Sequence, residues 1–438
     1  SWTFRKAEKF FDVVTYTGNS TAGRTVAHNL GSVPACIIIK RTDGTSEWPV
    51  YHKDESSYGT TGQYEGRLNE TSNFGWDYIS GTPTDSVFAV TGDTAVNASG
   101  GTYVAYLFAS DAGGFGDDGD ENIIKCGSYT GNGNIDGPTV TLGFEPQWLM
   151  IKGTGGGDWT IFDNMRGLAV GGNDSRIWAN QSSAENNGSP YIDLQPTGFK
   201  LQGSTGGAAN GNGSDYIYIA IRRPMKTPES GTEVFSATTQ QSTYPNWVTG
   251  FPVDWMFYKN IDNGSGDWFT GARLIGTERG RLNTTEAFSA SSLMQWDYQN
   301  GQGEWSTSAD PTAYTWNFKR ATGFMDVVAY TGTGSAHAES HNLGVAPEMM
   351  IIKPRDLSYQ WSVWQKDIAS ASPYYEIVLN SSNAQTDAND TNSPFAGVPT
   401  STGIPLPSGT ASASNRSGYN YIAYLFATLA GVSKVGSY

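Results

Sequence analysis

The chain has 438 residues, of which 37% are hydrophobic, 13% aromatic and 16% charged, and its formal net charge is −15. This length favours two to four domains over a single core, and the composition argues against disorder. The acidic balance argues against nucleic acid or an anionic membrane as a partner, because proteins bind phosphate with Lys and Arg. The sequence contains no apolar run of 18 residues, so it does not predict a membrane-spanning helix.

A long internal repeat organises the sequence. Residues 12–18 (DVVTYTG) return as residues 326–332 (DVVAYTG), a displacement of 314 positions (326 − 12). The segment just upstream, residues 2–7 (WTFRKA), returns at the same displacement as residues 316–321 (WNFKRA). The chain is therefore a tandem array rather than one unrepeated fold.

The second recurring element is a turn followed by a short apolar run that ends at a lysine. It occupies residues 30–40, 142–152 and 343–353, with a weaker copy at 250–259. Gly and Pro make the turn, and the apolar run has the length of a buried strand. We expect the mid-strand residues Ile38, Met150, Phe257 and Ile351 to be buried. We expect the terminal lysine of each run to reach solvent.

Each lysine is followed, seven to nine residues later, by a tryptophan that begins another alternating segment. Lys, turn and Trp together predict a β-hairpin. We expect the tryptophans of this position to pack in the core. They are Trp48, Trp159, Trp268 and Trp361.

An Asn-x-Ser/Thr triplet follows each hairpin. The four asparagines are Asn69, Asn180, Asn283 and Asn380. Each triplet matches an N-glycosylation acceptor. The alternative is a turn closed by Asn and Ser/Thr side chains on nearby backbone, and repetition at one position favours this structural role.

The array closes each unit with an aromatic strand, at residues 103–109, 216–222, 314–319 and 421–427. The predicted fold class is all-β, a string of about four tandem antiparallel β-sandwich repeats from a longer repeat protein. The predicted repeats are residues 11–112 (repeat 1), 123–230 (repeat 2), 231–322 (repeat 3, divergent) and 325–430 (repeat 4). Repeat 4 has the same sequence type as repeat 1. Residues 1–10 resemble the closing strand of a preceding repeat, and residues 431–438 the opening strand of a further one.

Histidines and cysteines give little support for catalysis or zinc binding. His28 and His341 occupy the same repeat position, and repeats 2 and 3 have no histidine there, which disfavours a triad base. His52 and His337 have no Cys or His partners at metal-ligand spacing. Two cysteines, Cys36 and Cys126, cannot form a disulfide framework, and the apolar run around Cys36 predicts a buried thiol.

Two acidic segments could supply oxygen ligands to Ca²⁺: residues 117–121 (DDGDE) and 262–267 (DNGSGD). Neither has EF-hand spacing, so solvated acidic loops are the favoured interpretation. No other cofactor is expected.

Unrepeated tryptophans are the candidates for contact with a glycan, since aromatic faces stack on sugar rings. They are Trp76, Trp178, Trp247, Trp296 and Trp305. The recurring tryptophans are better explained as core anchors.

The order Tyr-Thr-Gly, Leu-Gly-x-x-Pro, apolar run, Lys, Trp, Asn-x-Ser/Thr and closing Tyr-Ile-Ala strand resembles a repeat of unassigned function. That repeat occurs in long structural proteins of tailed phages, especially marine ones, and residues 216–226 (YIYIAIRRPMK) are the most specific match. The resemblance implies a non-enzymatic virion protein, a tail fibre or fibre-like filament on the particle surface, assembled in the host cytoplasm. It implies other virion proteins or further copies as partners, and a contribution to host attachment.

Two alternatives stay open from the sequence. The first is a glycan-binding adhesin module. The second is a glycan-degrading, tailspike-type enzyme, which needs a pair of carboxylates about 5–10 Å apart in a groove. The repeats disfavour the enzyme, because an enzyme normally has one site on its scaffold rather than four equivalent units.

Overall fold

A computed structural model describes residues 2–55, 64–203, 208–224, 226–262, 264, 266–291, 294–304, 309–368, 374–384, 386–387, 393–409 and 413–437. The structure is nearly all β, with 40% strand and 3% helix, in several antiparallel sheets. The predicted all-β class of tandem sandwich repeats is therefore confirmed. No helix in the described ranges is long and apolar enough to cross a membrane.

Repeat 1 forms a five-stranded main sheet in the order β1-β7-β3-β4-β5 and a small sheet of β2 and β6. A single helical turn, α1 (Thr94–Asn97), precedes β7 and is capped by the Asp93 side chain. The strands are β1 (Phe11–Thr17), β2 (Arg24–Ala27), β3 (Cys36–Arg41), β4 (Pro49–His52), β5 (Gly66–Arg67), β6 (Val87–Val90) and β7 (Thr102–Phe108).

Repeat 2 has a main sheet in the order β12-β11-β10-β15-β8 and a small sheet in the order β13-β14-β9. Its strands are β8 (Ile124–Thr130), β9 (Asp136–Thr141), β10 (Pro146–Gly153), β11 (Thr160–Asp163), β12 (Arg176–Trp178), β13 (Ile192–Gln195), β14 (Gly198–Gln202) and β15 (Asp215–Arg222).

Repeat 3 has a six-stranded main sheet, β16-β24-β18-β19-β20-β21, and a small sheet, β17-β23-β22. Two 3₁₀ turns lie at Gly231–Glu233 and Arg273–Ile275. The strands are β16 (Phe235–Thr239), β17 (Trp247–Val248), β18 (Trp255–Asn260), β19 (Phe269–Ala272), β20 (Glu278–Arg281), β21 (Ser289–Ala290), β22 (Met294–Gln295), β23 (Gly301–Glu304) and β24 (Ala313–Phe318).

Repeat 4 has a six-stranded main sheet, β25-β32-β27-β28-β29-β30, and a small sheet of β26 and β31. The strands are β25 (Met325–Thr331), β26 (His337–Ser340), β27 (Met349–Pro354), β28 (Ser362–Gln365), β29 (Tyr375–Val378), β30 (Thr386–Asp387), β31 (Gly403–Leu406) and β32 (Asn420–Phe426).

All four main sheets follow one plan. The closing strand of each repeat lies between the opening strand and the strand after the Gly-Pro turn, and that strand continues into the Lys–Trp hairpin. In repeats 1, 2 and 4, the register places tyrosine opposite tyrosine at the same end of the sheet. One face of each main sheet packs on the small sheet of the same repeat. In repeat 1, for example, the Tyr16 ring meets Phe88 of β6 edge to face at 6.3 Å.

The chain divides into two compact units. The first comprises Ser1–Asp163, Asp174–Asp193 and Thr197–Arg223, and so contains repeat 1 and most of repeat 2. The second comprises Asn164–Asn173, Leu194–Pro196 and Pro224–Tyr438, and so contains repeats 3 and 4 with two short segments of repeat 2.

Within the first unit, the main sheets of repeats 1 and 2 share one hydrophobic core. Cys36 and Ile38 of β3 belong to the same buried cluster as Cys126 of β8 and Met150 of β10. The His52 ring adds a hydrogen bond of 3.1 Å from Nε2 to the Tyr218 carbonyl oxygen. Each main sheet is therefore covered on both faces, by its own small sheet and by the neighbouring repeat.

Within the second unit, repeats 3 and 4 are joined in the same way. The Trp255 ring of repeat 3 lies 4.5 Å from Tyr424 and 5.7 Å from Phe426 of repeat 4. The sequence did not predict this pairing of repeats. It follows from main-sheet strands that are apolar on both faces, since each face then needs a covering layer.

The segments preceding repeats 1 and 4 make matching contacts. Phe4 meets Phe108 edge to face at 6.1 Å, and the equivalent Phe318 meets Phe426 edge to face at 6.2 Å. Nevertheless, residues 2–6 form no strand, and neither do residues 434–437, in contrast to the strands predicted there. A strand requires a partner for its backbone groups, and among the described residues neither segment pairs with one.

Candidate functional site

The hairpin of every repeat carries a recurring set of three residues, which we name the Lys–Trp–Asn clamp. It consists of the lysine that ends the apolar run, the tryptophan that follows the turn and the asparagine of the Asn-x-Ser/Thr triplet. The asparagine Oδ1 accepts a hydrogen bond from the backbone N–H of the tryptophan at 2.9–3.0 Å in all four copies. The clamps are Lys40/Trp48/Asn69, Lys152/Trp159/Asn180, Lys259/Trp268/Asn283 and Lys353/Trp361/Asn380. The asparagine thus links the hairpin strand to the end of the next strand along the chain.

The asparagine amide nitrogens are also engaged. Asn180 Nδ2 donates to Asp158 at 2.8 Å, and Asn283 Nδ2 donates to Asp267 at 3.0 Å. Asn69 Nδ2 donates in the same way to Glu47 at 2.5 Å. These contacts support the structural interpretation of the Asn-x-Ser/Thr triplets over the glycosylation interpretation, because a sugar would be attached at that nitrogen.

The clamp lysines bond backbone carbonyls, and the expectation that they reach solvent is wrong for Lys152 and Lys353, whereas Lys40 and Lys259 are half-buried. The Lys40 Nζ donates to the Ser46 carbonyl at 2.5 Å, and Lys353 donates to Leu357 at 3.1 Å. Lys152 and Lys259 bond carbonyls of their own turns, at Gly157 and Gly266. Lys152 and Lys353 are buried, and burial lowers the pKa of each to about 8. A lysine ammonium group can be buried when it donates hydrogen bonds to turn carbonyls, whereas burial of an ammonium group without acceptors costs too much free energy.

The tryptophans of the clamp alternate between two environments. Trp159 and Trp361 are buried, at 2% and 0% exposure, whereas Trp48 and Trp268 are half-buried. The core prediction is thus confirmed for repeats 2 and 4 and only partly met in repeats 1 and 3. Ile38, Met150 and Ile351 are buried as predicted, and Phe257 is half-buried.

The buried tryptophans bind the preceding repeat. Trp159 Nε1 donates to the Arg67 carbonyl of repeat 1, and Trp361 Nε1 donates to the Arg281 carbonyl of repeat 3, both at 2.9 Å. Each indole also lies 5.9 Å from a phenylalanine of that repeat, Phe74 in one case and Phe288 in the other. We call this contact the tryptophan junction. It occurs once in each unit, between the first and the second repeat of a pair.

A second recurring cluster explains the Tyr-Thr-Gly motif. In repeat 1, Tyr16 and Tyr103 stack at 5.0 Å, and their hydroxyls bond the backbone on either side of the buried Asn97. Asn97 Oδ1 accepts from the backbone N–H of Asn19, which follows Gly18. We name this arrangement the Tyr–Asn corner. The same arrangement occurs at Tyr129/Tyr216/Asn210 and at Tyr330/Tyr421/Asn415.

The Tyr–Asn corner requires glycine two residues after its first tyrosine. Its asparagine was not recognised from the sequence. A Cβ on Gly18 would lie 2.1 Å from the Ala98 carbonyl oxygen, and the same close approach recurs in repeats 2 and 4. The asparagine precedes the second tyrosine by six residues in all three copies, and this fixed spacing could have identified it.

His28 and His341 have equivalent structural roles. The Nδ1 of each accepts a backbone N–H two residues on, from Leu30 or Leu343, so the neutral ring carries its proton on Nε2. That Nε2 faces a backbone carbonyl, of Thr84 at 3.2 Å or Thr400 at 3.0 Å. Burial lowers the pKa of both rings. Both rings close loops with these bonds.

The remaining histidines and the two cysteines also have environments typical of structural residues. Burial lowers the pKa of His52 to about 4, which keeps it neutral at the interface of repeats 1 and 2. The His337 ring bonds the Ser335 carbonyl, just before β26, and the Glu339 carboxylate on β26. Cys36 and Cys126 are free, buried thiols in the shared core, and burial raises the pKa of both.

The two acidic segments gather no metal-like cluster of three His, Cys, Asp or Glu side chains within the described ranges. Glu121 of the first segment is paired with Arg222 at 2.7 Å. Asp267 of the second is paired with Arg281 at 2.9 Å, and residues 263 and 265 lie outside the described residues.

The candidate glycan-contacting tryptophans that the structure describes lie in different environments. Trp247 and Trp296 are buried, at 1% and 7% exposure, so neither presents a face to a ligand in solvent. Trp305 lies outside the described residues. Trp76 is 40% exposed, with the Arg67 guanidinium 3.5 Å from its ring centre. The described structure therefore disfavours the glycan hypothesis for Trp247 and Trp296, and Trp76, Trp178 and Trp305 remain candidates.

Trp178 lies on the wall of a cleft of about 500 Å³ within repeat 2. The cleft is bounded by the glycine-rich turn of the Lys–Trp hairpin, by the last strand of the main sheet and by the start of β15. Its lining includes Asp158, Thr160, Arg176, Trp178, Asp215 and Tyr216.

Comparison with known proteins gives one result. A family model described as a domain of unknown function (DUF7483) matches residues 5–224 and 265–438. No curated protein and no solved structure gives a significant match. Because the family model covers most of the chain, including both tryptophan junctions and all three Tyr–Asn corners, the chain belongs to the DUF7483 family.

Proposed function

We propose that this chain is a non-enzymatic structural protein of a phage virion, forming a tail fibre or a fibre-like appendage at the particle surface. The single observation that carries the proposal is the tryptophan junction. Trp159 and Trp361 make the same hydrogen bond, at the same length, to the preceding repeat of their pair. A contact reproduced in two pairs of covalently linked repeats supports a structural role, because the repeats of a tandem array are stabilised by the interfaces with their neighbours.

The recurring side chains support a structural role. The clamp asparagines accept from the tryptophan backbone N–H, the clamp lysines donate to turn carbonyls, and the corner tyrosines bond to the loop that they enclose. Residues that recur in this way serve folding and docking. The phage assignment rests on the resemblance of the repeat to virion structural proteins, and it implies further virion proteins or copies of the same chain as partners.

Immunogold electron microscopy tests the proposal. Antibodies raised against the purified chain should label a thin appendage on tailed particles from a lysate of the source host. Peptides of the chain should also co-purify with those particles in mass spectrometry. Recovery of the chain only in the particle-free fraction, with unlabelled particles, would refute a virion role.

A further inference from the structure

We propose that the cleft of repeat 2 is a binding subsite for a neutral pyranose ring, in which Trp178 is the stacking platform. The inference extends the attachment role within the proposed function, but the chemistry of the cleft does not depend on assembly in a virion. We name the site the Trp178 cleft, lined by Gly153, Gly155, Gly156, Gly157, Asp158, Thr160, Arg176, Trp178, Ala208, Ser214, Asp215 and Tyr216.

The first argument is size and composition. The volume of about 500 Å³ lies within the range of about 300–1,000 Å³ that is typical of small-molecule clefts. Trp178 is half-buried, so part of the indole is accessible from the cleft. An indole with a few polar groups placed around it suits a pyranose, which has an apolar C–H face and a rim of hydroxyls.

The second argument is that two buried polar atoms in the lining lack hydrogen bonds. Thr160 is 1% exposed, and its Oγ1 has no hydrogen-bond partner in the described structure. The Nε of Arg176 is likewise buried and without a partner there. Buried polar groups are nearly always satisfied, so two such groups in one cleft point to a ligand that bonds them. Thr160 lies directly opposite Trp178 in the β11–β12 register, which places the unpartnered hydroxyl beside the stacking surface.

The third argument is charge. The lining holds two carboxylates, Asp158 and Asp215, and one guanidinium, Arg176. Each carboxylate uses only one described oxygen internally: Asp158 Oδ1 accepts from Asn180 and Gln181, and Asp215 Oδ1 accepts from Thr130. The second oxygens suit the hydroxyl donors of a sugar. The net negative lining disfavours sialic acid, uronic acids and phosphate.

The fourth argument is that the glycine-rich wall of the cleft is specific to repeat 2. The residue after the clamp lysine is Gly153 in repeat 2, whereas repeats 1, 3 and 4 have Arg41, Asn260 and Pro354. A Cβ on Gly153 would lie 2.8 Å from the Gly156 carbonyl oxygen and 3.4 Å from the Tyr216 ring. The lack of a side chain there lets the glycine-rich turn, which lines the cleft, pack closely against the end of β10.

Binding of the fluorescently labelled full chain to an array of neutral and acidic oligosaccharides tests the proposal. Trp178→Ala removes the platform, and Thr160→Val removes only the hydroxyl while keeping the shape. Tyr359→Ala, at an exposed aromatic side chain of repeat 4 outside the cleft, is the matched control. We expect wild type and Tyr359→Ala to bind neutral glycans, and we expect each cleft variant to bind them at least about tenfold more weakly.

Thr160→Val keeps the test interpretable, because removing a buried, unpartnered hydroxyl should leave the thermal unfolding temperature unchanged or raise it. Binding confined to acidic glycans, binding retained in both cleft variants, or no binding to any glycan would overturn the proposal. None of these outcomes bears on labelling of virus particles, so failure of the glycan site and failure of the virion role are distinguishable.

Discussion

Replacement of Trp159 by alanine should destabilise two repeats at once. The indole is 2% exposed, belongs to the core shared by repeats 1 and 2, and donates to the Arg67 carbonyl. A buried Trp contributes roughly 200 Å² of apolar contact, an upper estimate of about 5 kcal/mol at 25 cal/mol per Å². Measured Trp-to-Ala losses in cores are about 3–5 kcal/mol, and this range is expected here.

Hydrogen exchange of the full chain, followed by mass spectrometry, measures the effect strand by strand. Trp159→Ala should lower the free energy of opening by about 3–5 kcal/mol in peptides covering Pro146–Gly153 of repeat 2 and Cys36–Arg41 of repeat 1. Trp48→Ala, at the half-buried equivalent position, should cost roughly 1–2 kcal/mol. If Trp159→Ala accelerates exchange in repeat 2 alone, the two sheets open independently and the shared core is refuted.

Three further changes test the clamp, the corner and a buried carboxyl. Asn180→Ala should cost about 1–3 kcal/mol in thermal unfolding, while the exposed Asn187→Ala should be neutral; peptide mapping by mass spectrometry after secretion from a eukaryotic host should find Asn180 unglycosylated. Asn415→Ala should cost about 2–4 kcal/mol, and Asn415→Asp should fail to restore stability in urea titrations because it lacks the two Nδ2–H donors. Burial raises the pKa of Glu65 to about 8, so its stabilising contribution is complete below about pH 4.5 and is lost as pH rises through 8. Between pH 5 and 8 the free energy of unfolding of the wild type should therefore fall by roughly 2–4 kcal/mol relative to that of Glu65→Gln. Parallel pH profiles of the two proteins would contradict this assignment.

The strands and the repeats were predictable from the sequence because they are set by local patterns. The apolar run after each Gly-Pro turn forms a strand in every repeat, including the divergent repeat 3, which lacks the Tyr-Thr-Gly opening. The clamp asparagines were placed at a turn by their repetition, and the structure adds the tryptophan N–H that they bind.

The pairing of repeats could not be predicted, because an apolar face does not identify the surface that covers it. A hint was nevertheless present in residues 36–39, where four consecutive residues are apolar and all four are buried. A strand with one solvated face would alternate with polar residues. The burial of Lys152 and Lys353 was missed for a different reason: lysine is seldom buried, and the turn carbonyls that receive it become apparent only in the folded hairpin.

Of the predicted glycan-contacting residues that the structure describes, Trp178 is the one that lines the cleft. Its neighbours Thr160 and Arg176 could not be chosen from the sequence, since neither belongs to a motif. They are brought together by the pairing of β11 with β12, a contact between strands rather than a local pattern.

The tryptophan junction has a consequence for how such an array can grow. Repeats 1 and 4 are of the same sequence type, three repeats apart, yet repeat 1 offers the accepting Arg67 carbonyl and repeat 4 offers the donating Trp361. One sequence type thus serves as the first member of one pair and as the second member of the other. Growth of the array by copying repeats therefore requires that the copies adapt to a different side of the junction.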